Sequence, residues 1–392
     1  MNALHLEEPA SHGVPADCTS RADRIVSVKA YPVIQKLPQP TETSWGRYDR
    51  ISMVMVEVAT EDGFSGAGEV LARFAPHAYC ELIDVALAPR LVGQDPSDIS
   101  GLWASMRRAL SGRACGILVE AISGIDIALW DIRGKAAGLP VQALLGAEVS
   151  DAVPVYAASV NWADDGAARE QVKAFREAGF DRIKTKIGRS PRAAATRAAL
   201  VREAAGDDVT LYADANWAYA LDEAVYVGDA LQEAGYAWFE EPLDADDEAG
   251  YEALAKRLRI PLAAGESNFT SIQSQRLVRS GAIGVLQPNV TRAGGISETF
   301  LAARHARDHG VAYAAHVGMS GIVCETAALH VAAAIGGGAQ VECAMTPNSF
   351  KSKIASLDPG YVRAAKGRLA APSVPGFGLD IDWDAVRRMG EA

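Results

Sequence analysis

Asp214, Glu240 and Glu266 each close a short apolar run, and successive members stand 26 residues apart. That spacing is about one strand plus one helix, so in a repeating βα fold the three acids fall on neighbouring strands at the same offset. Converging carboxylates without matching cations repel, and one of them would have to keep its proton. A divalent cation removes the conflict. A ligand set made only of oxygens, with no thiolate, selects a hard ion such as Mg²⁺. One acid alone reads as a solvated loop residue or an ion-pair partner, but three at one offset read as a metal site.

Other polar residues fall at the ends of similar runs: Lys184 and Lys186, Asn216, Asn289, His316 and Glu342. In Lys184-Thr185-Lys186 the two lysines share one face of a strand and the threonine takes the other. With that face inside a barrel, Lys186 stands beside the metal, placed to act as a base. His316 ends a run on the far side of the mouth. Lys186 and His316 would then approach a metal-bound substrate from opposite sides, one removing a proton and the other delivering one to carbon or to a leaving hydroxyl.

The elements that must position these groups can be read from the pattern. Eight apolar runs, at 153–159, 180–188, 209–216, 236–242, 260–267, 283–289, 311–318 and 339–344, are separated by helix-sized gaps. This is what a (β/α)₈ barrel needs, because parallel strands require crossover connections. A doubly wound dinucleotide fold is the rival, but no G-x-G-x-x-G follows a strand. Before the runs, IVSVKAYPVIQ, ISMVMVEVAT and FSGAGEV predict a small antiparallel meander, with PQPTETSWGRYDR as a polar loop and a turn at 61–63. Helical patterns follow to about 138, where Gly138-Leu139-Pro140 signals a stop.

Composition bounds the rest. A content of 49% hydrophobic and 22% charged residues is that of an ordinary soluble globular protein. The net charge of −11 argues against nucleic acid or a membrane surface as partner. Five scattered cysteines without a C-x-x-C pair suggest neither a disulfide framework nor a zinc ribbon, and point to a reducing cytoplasm. Residues 1–22 are polar, unlike a signal peptide, and read as a flexible tail.

Taken in order, KTK, DAN, FEEP, GES, QPN…RAGG and HVG, with AISGIDIALWDIRGKAAGLPVQALLG at 121–146 and PGFGLDIDW at 375–383, resemble the enolase superfamily and its mandelate racemase-like subgroup. The resemblance implies a modified TIM barrel, (β/α)₇β, at 151–360. It also implies an α+β capping domain at 23–150 and a segment at 361–392 that returns to the cap. Asp214, Glu240 and Glu266 become Mg²⁺ ligands that bind a substrate carboxylate through the ion. Lys186 becomes the base that takes the α-proton, Lys184 helps to hold the developing charge, and Glu342 sits near the substrate carboxylate. An enediolate stabilised by metal and hydrogen bonds is the expected intermediate.

One position departs from that pattern. The sixth strand of the subgroup usually presents an aspartate to the histidine, where this chain has Asn289. An amide can orient the imidazole but cannot support its positive charge, so His316 becomes a poorer base and two-base racemisation loses ground. Dehydration of a sugar acid or hydroxy diacid to a 2-keto-3-deoxy acid is the favoured outcome. A racemase, epimerase or lactone cycloisomerase is the alternative, and a non-catalytic barrel relative a remote one. In this family the cap loops set substrate size, which makes Trp45, Arg47, Tyr48, Arg73 and Phe74, with Asn216 at the mouth, the expected substrate contacts. The expected partners are a small carboxylic acid and further copies of the chain in a homo-oligomer.

Overall fold

A computed structural model of the chain describes residues 23–44, 46–110, 112, 114–146, 150–345, 353–356, 367–370 and 373–390. The expected tail at 1–22 and Trp45 lie outside the described residues. Strands β1 (Ile25–Thr43), β2 (Gly46–Thr60) and β3 (Ser65–Val70) form an antiparallel sheet in that order. The segment expected to be a polar loop is instead the end of a long two-stranded ribbon. After a register break between Lys36 and Thr41, pairing resumes at Thr41 with Tyr48 and runs to Thr43 with Gly46. The prolines at 38 and 40 suggested a loop, but β1 is an edge strand, where a missing N–H need not cost a ladder bond.

Helices α1 (Pro76–Leu82), α2 (Ile99–Arg107), α3 (Ile117–Ala137) and α4 (Val141–Leu145) complete the first unit. Helix α3 is apolar nearly all round and buried on almost every side, which marks a core helix rather than a surface one. It ends at Gly138, whose φ of 67° takes the left-handed cap. It also packs hard on β3. A Cβ at Gly68 would lie 1.8 Å from the Gly124 carbonyl oxygen, so only glycine permits the approach.

The second unit is a closed barrel of eight parallel strands: β4 (Ala152–Val160), β5 (Arg182–Lys186), β6 (Thr210–Asp214), β7 (Trp238–Glu240), β8 (Leu262–Ala264), β9 (Val285–Leu286), β10 (Ala312–Ala315) and β11 (Gln340–Ala344). Each pairs with the next, and β11 pairs with β4 to close the ring. The crossovers are α5 (Asp165–Glu177), α6 (Pro191–Ala205), α7 (Leu221–Glu233), α8 (Glu248–Arg257), α9 (Thr270–Arg279), α10 (Gly295–Asp308) and α11 (Ile322–Ile335). Seven βα units and a last strand make the (β/α)₇β form. One apolar core lies between strands and helices, and another under the first sheet. Inside the barrel Tyr212 and Trp238 stack in parallel, with Tyr156 edge-on to both.

After β11, strand β12 (Arg368–Ala370) pairs antiparallel with the start of β4, away from the mouth. The chain then reaches back to the first unit, where the Phe377 N–H donates to Asp131 of α3 at 2.9 Å. A final helix, α12 (Trp383–Gly390), rests on β1 with the Trp383 ring 5.8 Å from Tyr31. Among the described residues no helix is long and apolar enough to cross a membrane. The described cysteines, Cys80, Cys115, Cys324 and Cys343, are all free.

Candidate active site

The carboxyl ends of the barrel strands meet at one mouth. Lys186, Asp214 and Glu240 stand in register on β5, β6 and β7, and Glu266 follows the end of β8. One oxygen from each of Asp214, Glu240 and Glu266 lies within 4.8 Å of the others, and all three residues are buried. Glu266 Oε2 is buried and makes no hydrogen bond of good geometry, His316 Nε2 being the ring nitrogen beside it at 3.2 Å, which leaves it open to a cation. Glu342 adds a fourth buried carboxylate, while Lys184 and Lys186 add two ammonium groups. Four carboxylates thus outnumber two amines, an excess that a divalent ion would offset. The donor set therefore fits Mg²⁺.

The two lysines share a face but not a depth. Lys184 is wholly buried, with Nζ 2.5 Å from Glu240 Oε1, 2.9 Å from Glu342 Oε1 and 3.6 Å from Asp214 Oδ2. It also lies 5.6 Å above the Tyr156 ring. Lys186 is partly exposed; its ammonium donates to Asp214 Oδ2 and, at 2.9 Å, to Asn216 Oδ1. Burial works against charge on both partners, and the outcome differs by neighbour. Burial alone would depress Lys184, yet Glu240 and Glu342 hold it well above its ordinary range. Burial alone would raise Asp214, but Lys186 and Lys184 hold it at about 2. Glu240 goes the other way: burial, helped by Asp214, Glu342 and Glu266, overcomes Lys184 and lifts it far above the usual carboxylate range.

His316, just past β10, closes the opposite side. Its Nε2 lies 3.2 Å from Glu266 Oε2 and 3.7 Å from Glu342 Oε2, and its Nδ1 lies 3.1 Å from Asn289 Nδ2. Burial lowers the ring's pKa, with Glu266 and Glu342 pulling against it. Glu342 Oε2 accepts from the Val317 and Gly318 N–H groups at 2.8 and 2.7 Å, which fixes it under the loop carrying the histidine.

Among the residues expected to meet substrate, Asn216 is drawn in beside Lys186. Tyr48 and Arg73 line a cleft with Met319 and Ser320, which follow closely after His316. Arg47 and Phe74 are exposed, Phe74 at 80%, and neither lines that cleft. Three contributors were not foreseen. Gln287 donates to Glu240 Oε2 at 2.8 Å, and Trp238 Nε1 approaches the same oxygen at 3.3 Å. Thr291 holds the Asn289 amide. The period-two spacing of Gln287 and Asn289 is the one signal that could have found Gln287. Glu241, next to Glu240, turns away from the mouth, accepting from Trp217, Tyr251 and the Gly265 N–H, so it ties three mouth loops together.

Comparison with known proteins bears on this arrangement. The family model for the mandelate racemase / muconate lactonizing enzyme N-terminal domain matches residues 25–146, and that for the enolase C-terminal domain-like fold matches residues 167–385. D-galactarolactone cycloisomerase of Agrobacterium fabrum is 33% identical over 377 residues, covering 93% of this chain and 98% of its own. Arabinonate dehydratase of Saccharolobus solfataricus is 33% identical over 337 residues, 84% of this chain and 88% of its own. The crystal structure of a racemase from Streptomyces coelicolor A3(2) with bound magnesium superposes with a TM-score of 0.85 at 26% identity, over 93% of this chain and 99% of that one.

Proposed function

Because this chain belongs to the mandelate racemase / muconate lactonizing enzyme family of the enolase superfamily, we propose that it is a Mg²⁺-dependent sugar-acid dehydratase that takes the proton α to a carboxylate. The observation that carries the reading is the placement of Lys186 against Asp214 at one end of the acidic triad and His316 against Glu266 at the other. Asp214, Glu240 and Glu266 would hold the ion, which when bound supplies counter-charge to the substrate carboxylate. Lys186 takes the α-proton, and the electron pair of that C–H bond passes into an enediolate. Lys184 and Glu342, locked together at 2.9 Å, keep the carboxylate end of the pocket rigid and charge-balanced. As the enediolate collapses, the Cβ–O bond breaks and the oxygen leaves as water with a proton from the His316 side. The enol left behind tautomerises to the 2-keto-3-deoxy acid.

A donor-only role suits a histidine that faces an amide rather than a carboxylate. Lactone cycloisomerisation is the second reading, favoured by the similarity to the cycloisomerase over nearly the whole chain. A panel of mono- and diacid sugars and their lactones, incubated with Mg²⁺ in D₂O, separates the readings by deuterium at the α-carbon and by 2-keto product. His316→Asn should keep α-exchange and lose elimination. Full turnover in Lys186→Ala would refute the assignment of the base.

A further inference from the structure

The hydrogen bonds around Asn289 fix which way its amide faces. Its Oδ1 lies 2.9 Å from the Thr291 backbone N–H and 2.6 Å from the Thr291 hydroxyl. A backbone N–H can only donate, so the amide oxygen faces Thr291 and the NH₂ faces the other way. On that side Nδ2 lies 3.4 Å from the Val317 carbonyl, which can only accept, and 3.1 Å from His316 Nδ1. Reversing the amide would set donor against donor at Thr291 and acceptor against acceptor at Val317. Asn289 and Thr291 are both fully buried, so water cannot repair either mismatch.

We infer that Asn289, oriented by Thr291, holds the neutral His316 ring in the tautomer with its proton on Nε2, so that it faces substrate as a donor and never as a base. The Nδ1 lone pair is committed to the amide. The Nε2 proton points to the side where Glu266 and Glu342 approach. Lys184 and Arg73 also act on this ring at longer range, but the tautomer follows from the donor facing Nδ1 and not from their charge. Asn289 and Thr291 are thus positioning residues, acting through the ring. Rotating the amide is barred, so proton transfer at the substrate α-carbon is confined to the Lys186 face. The inference rests on the reading of His316 as a substrate-facing group, and its test uses the protein without substrate.

The test is ¹⁵N nuclear magnetic resonance of protein labelled in the histidine rings, with Mg²⁺ present and at mildly alkaline pH. The His316 signals are identified by their loss in His316→Asn. The expected spectrum has a protonated Nε2 and an unprotonated Nδ1, and a proton on Nδ1 would overturn the inference. Asn289→Asp should move the proton to Nδ1, because a carboxylate accepts there; an unchanged spectrum would mean that the two side chains do not touch. Thr291→Val, which keeps only the backbone donor, should admit a minor population of the other tautomer, and Thr291→Ser should remove it. An unaltered spectrum in Thr291→Val would overturn the role given to the hydroxyl. If the expected signals appear while no sugar acid shows α-exchange, the tautomer stands and the dehydratase reading alone fails.

Discussion

Replacing Lys184 with methionine isolates the charge balance of the mouth. The side chain is fully buried and touches Glu240 Oε1 at 2.5 Å and Glu342 Oε1 at 2.9 Å, with Asp214 at 3.6 Å. Methionine preserves most of the volume but leaves two carboxylate oxygens without their donor and a buried cluster with one more uncompensated charge. Removing one partner of a buried ion pair costs about 3–5 kcal/mol. An unfolding entropy of about 2.1 cal/mol/K per residue gives about 0.8 kcal/mol/K for a chain of 392 residues, so the midpoint should fall by about 4–6 °C. Mg²⁺ held by the triad of the folded chain alone would, at a hundred times its Kd, return about 2.7 kcal/mol, roughly 3 °C. Calorimetry with a chelator and with saturating Mg²⁺ measures both quantities. An unchanged midpoint in chelator would show that Lys184 does not hold the cluster, and a variant indifferent to Mg²⁺ would show that the triad does not bind the ion.

Other perturbations probe separate parts of the molecule. Lys186→Ala should slow α-proton exchange by about 10²–10⁴, the usual contribution of a positioned base, as followed by deuterium uptake at the α-carbon. Asp126, wholly buried in α3, accepts from the Ser297 N–H and hydroxyl of α10, and burial pushes its carboxyl from 3.8 up to about 7. Between those values the folded chain keeps a proton that the unfolded chain has released, so stability falls as pH rises through the window, by up to about 4 kcal/mol. Asp126→Asn should flatten that slope in urea unfolding measured from pH 4 to pH 7, and a wild-type slope would refute the assignment. Glu69 on β3 accepts from the Gly321 and Cys324 N–H groups at the start of α11, at 2.6 and 3.1 Å. Glu69→Ala should cost about 1–2 kcal/mol, as loss of a helix cap does, and raise KM as the cap loosens over the cleft; chemical denaturation and steady-state kinetics check the two effects.

The barrel and the meeting of its acids were legible because topology does the work: parallel strands point one way, so residues at equal offsets gather at one end. The pattern told less about depth. Alternation put Lys184 and Lys186 on one face, yet period two says nothing of how far each lies from solvent, and only the folded chain separates the wholly buried one from its partly exposed neighbour. Gln287, Trp238 and Thr291 escaped notice because their contacts depend on the register between strands and on a loop turning back, neither of which a single run encodes. The outer end of the ribbon, PQPTETSWGRYDR, was misread because proline and polar residues ordinarily punctuate loops, and edge-strand geometry overrides that signal. The observed strands are also shorter than most of the apolar runs, β9 having only two residues, because the chain leaves the sheet at the mouth to build the site.

The return of α12 to β1 has a consequence for how the protein is made. A ribosome releases the first sheet and α3 early, then the seven βα units, and only afterwards β11 with Glu342 and the helix that covers Tyr31. The barrel cannot close until β11 reaches β4, and the first unit lacks the helix packed on β1 until residues 383–390 have emerged. Assembly therefore waits on contacts between distant parts of the sequence, the slow kind. A fragment that stops before β11 lacks Glu342 and the strand that closes the ring, so its three remaining acids have no finished mouth in which to do the chemistry out of turn.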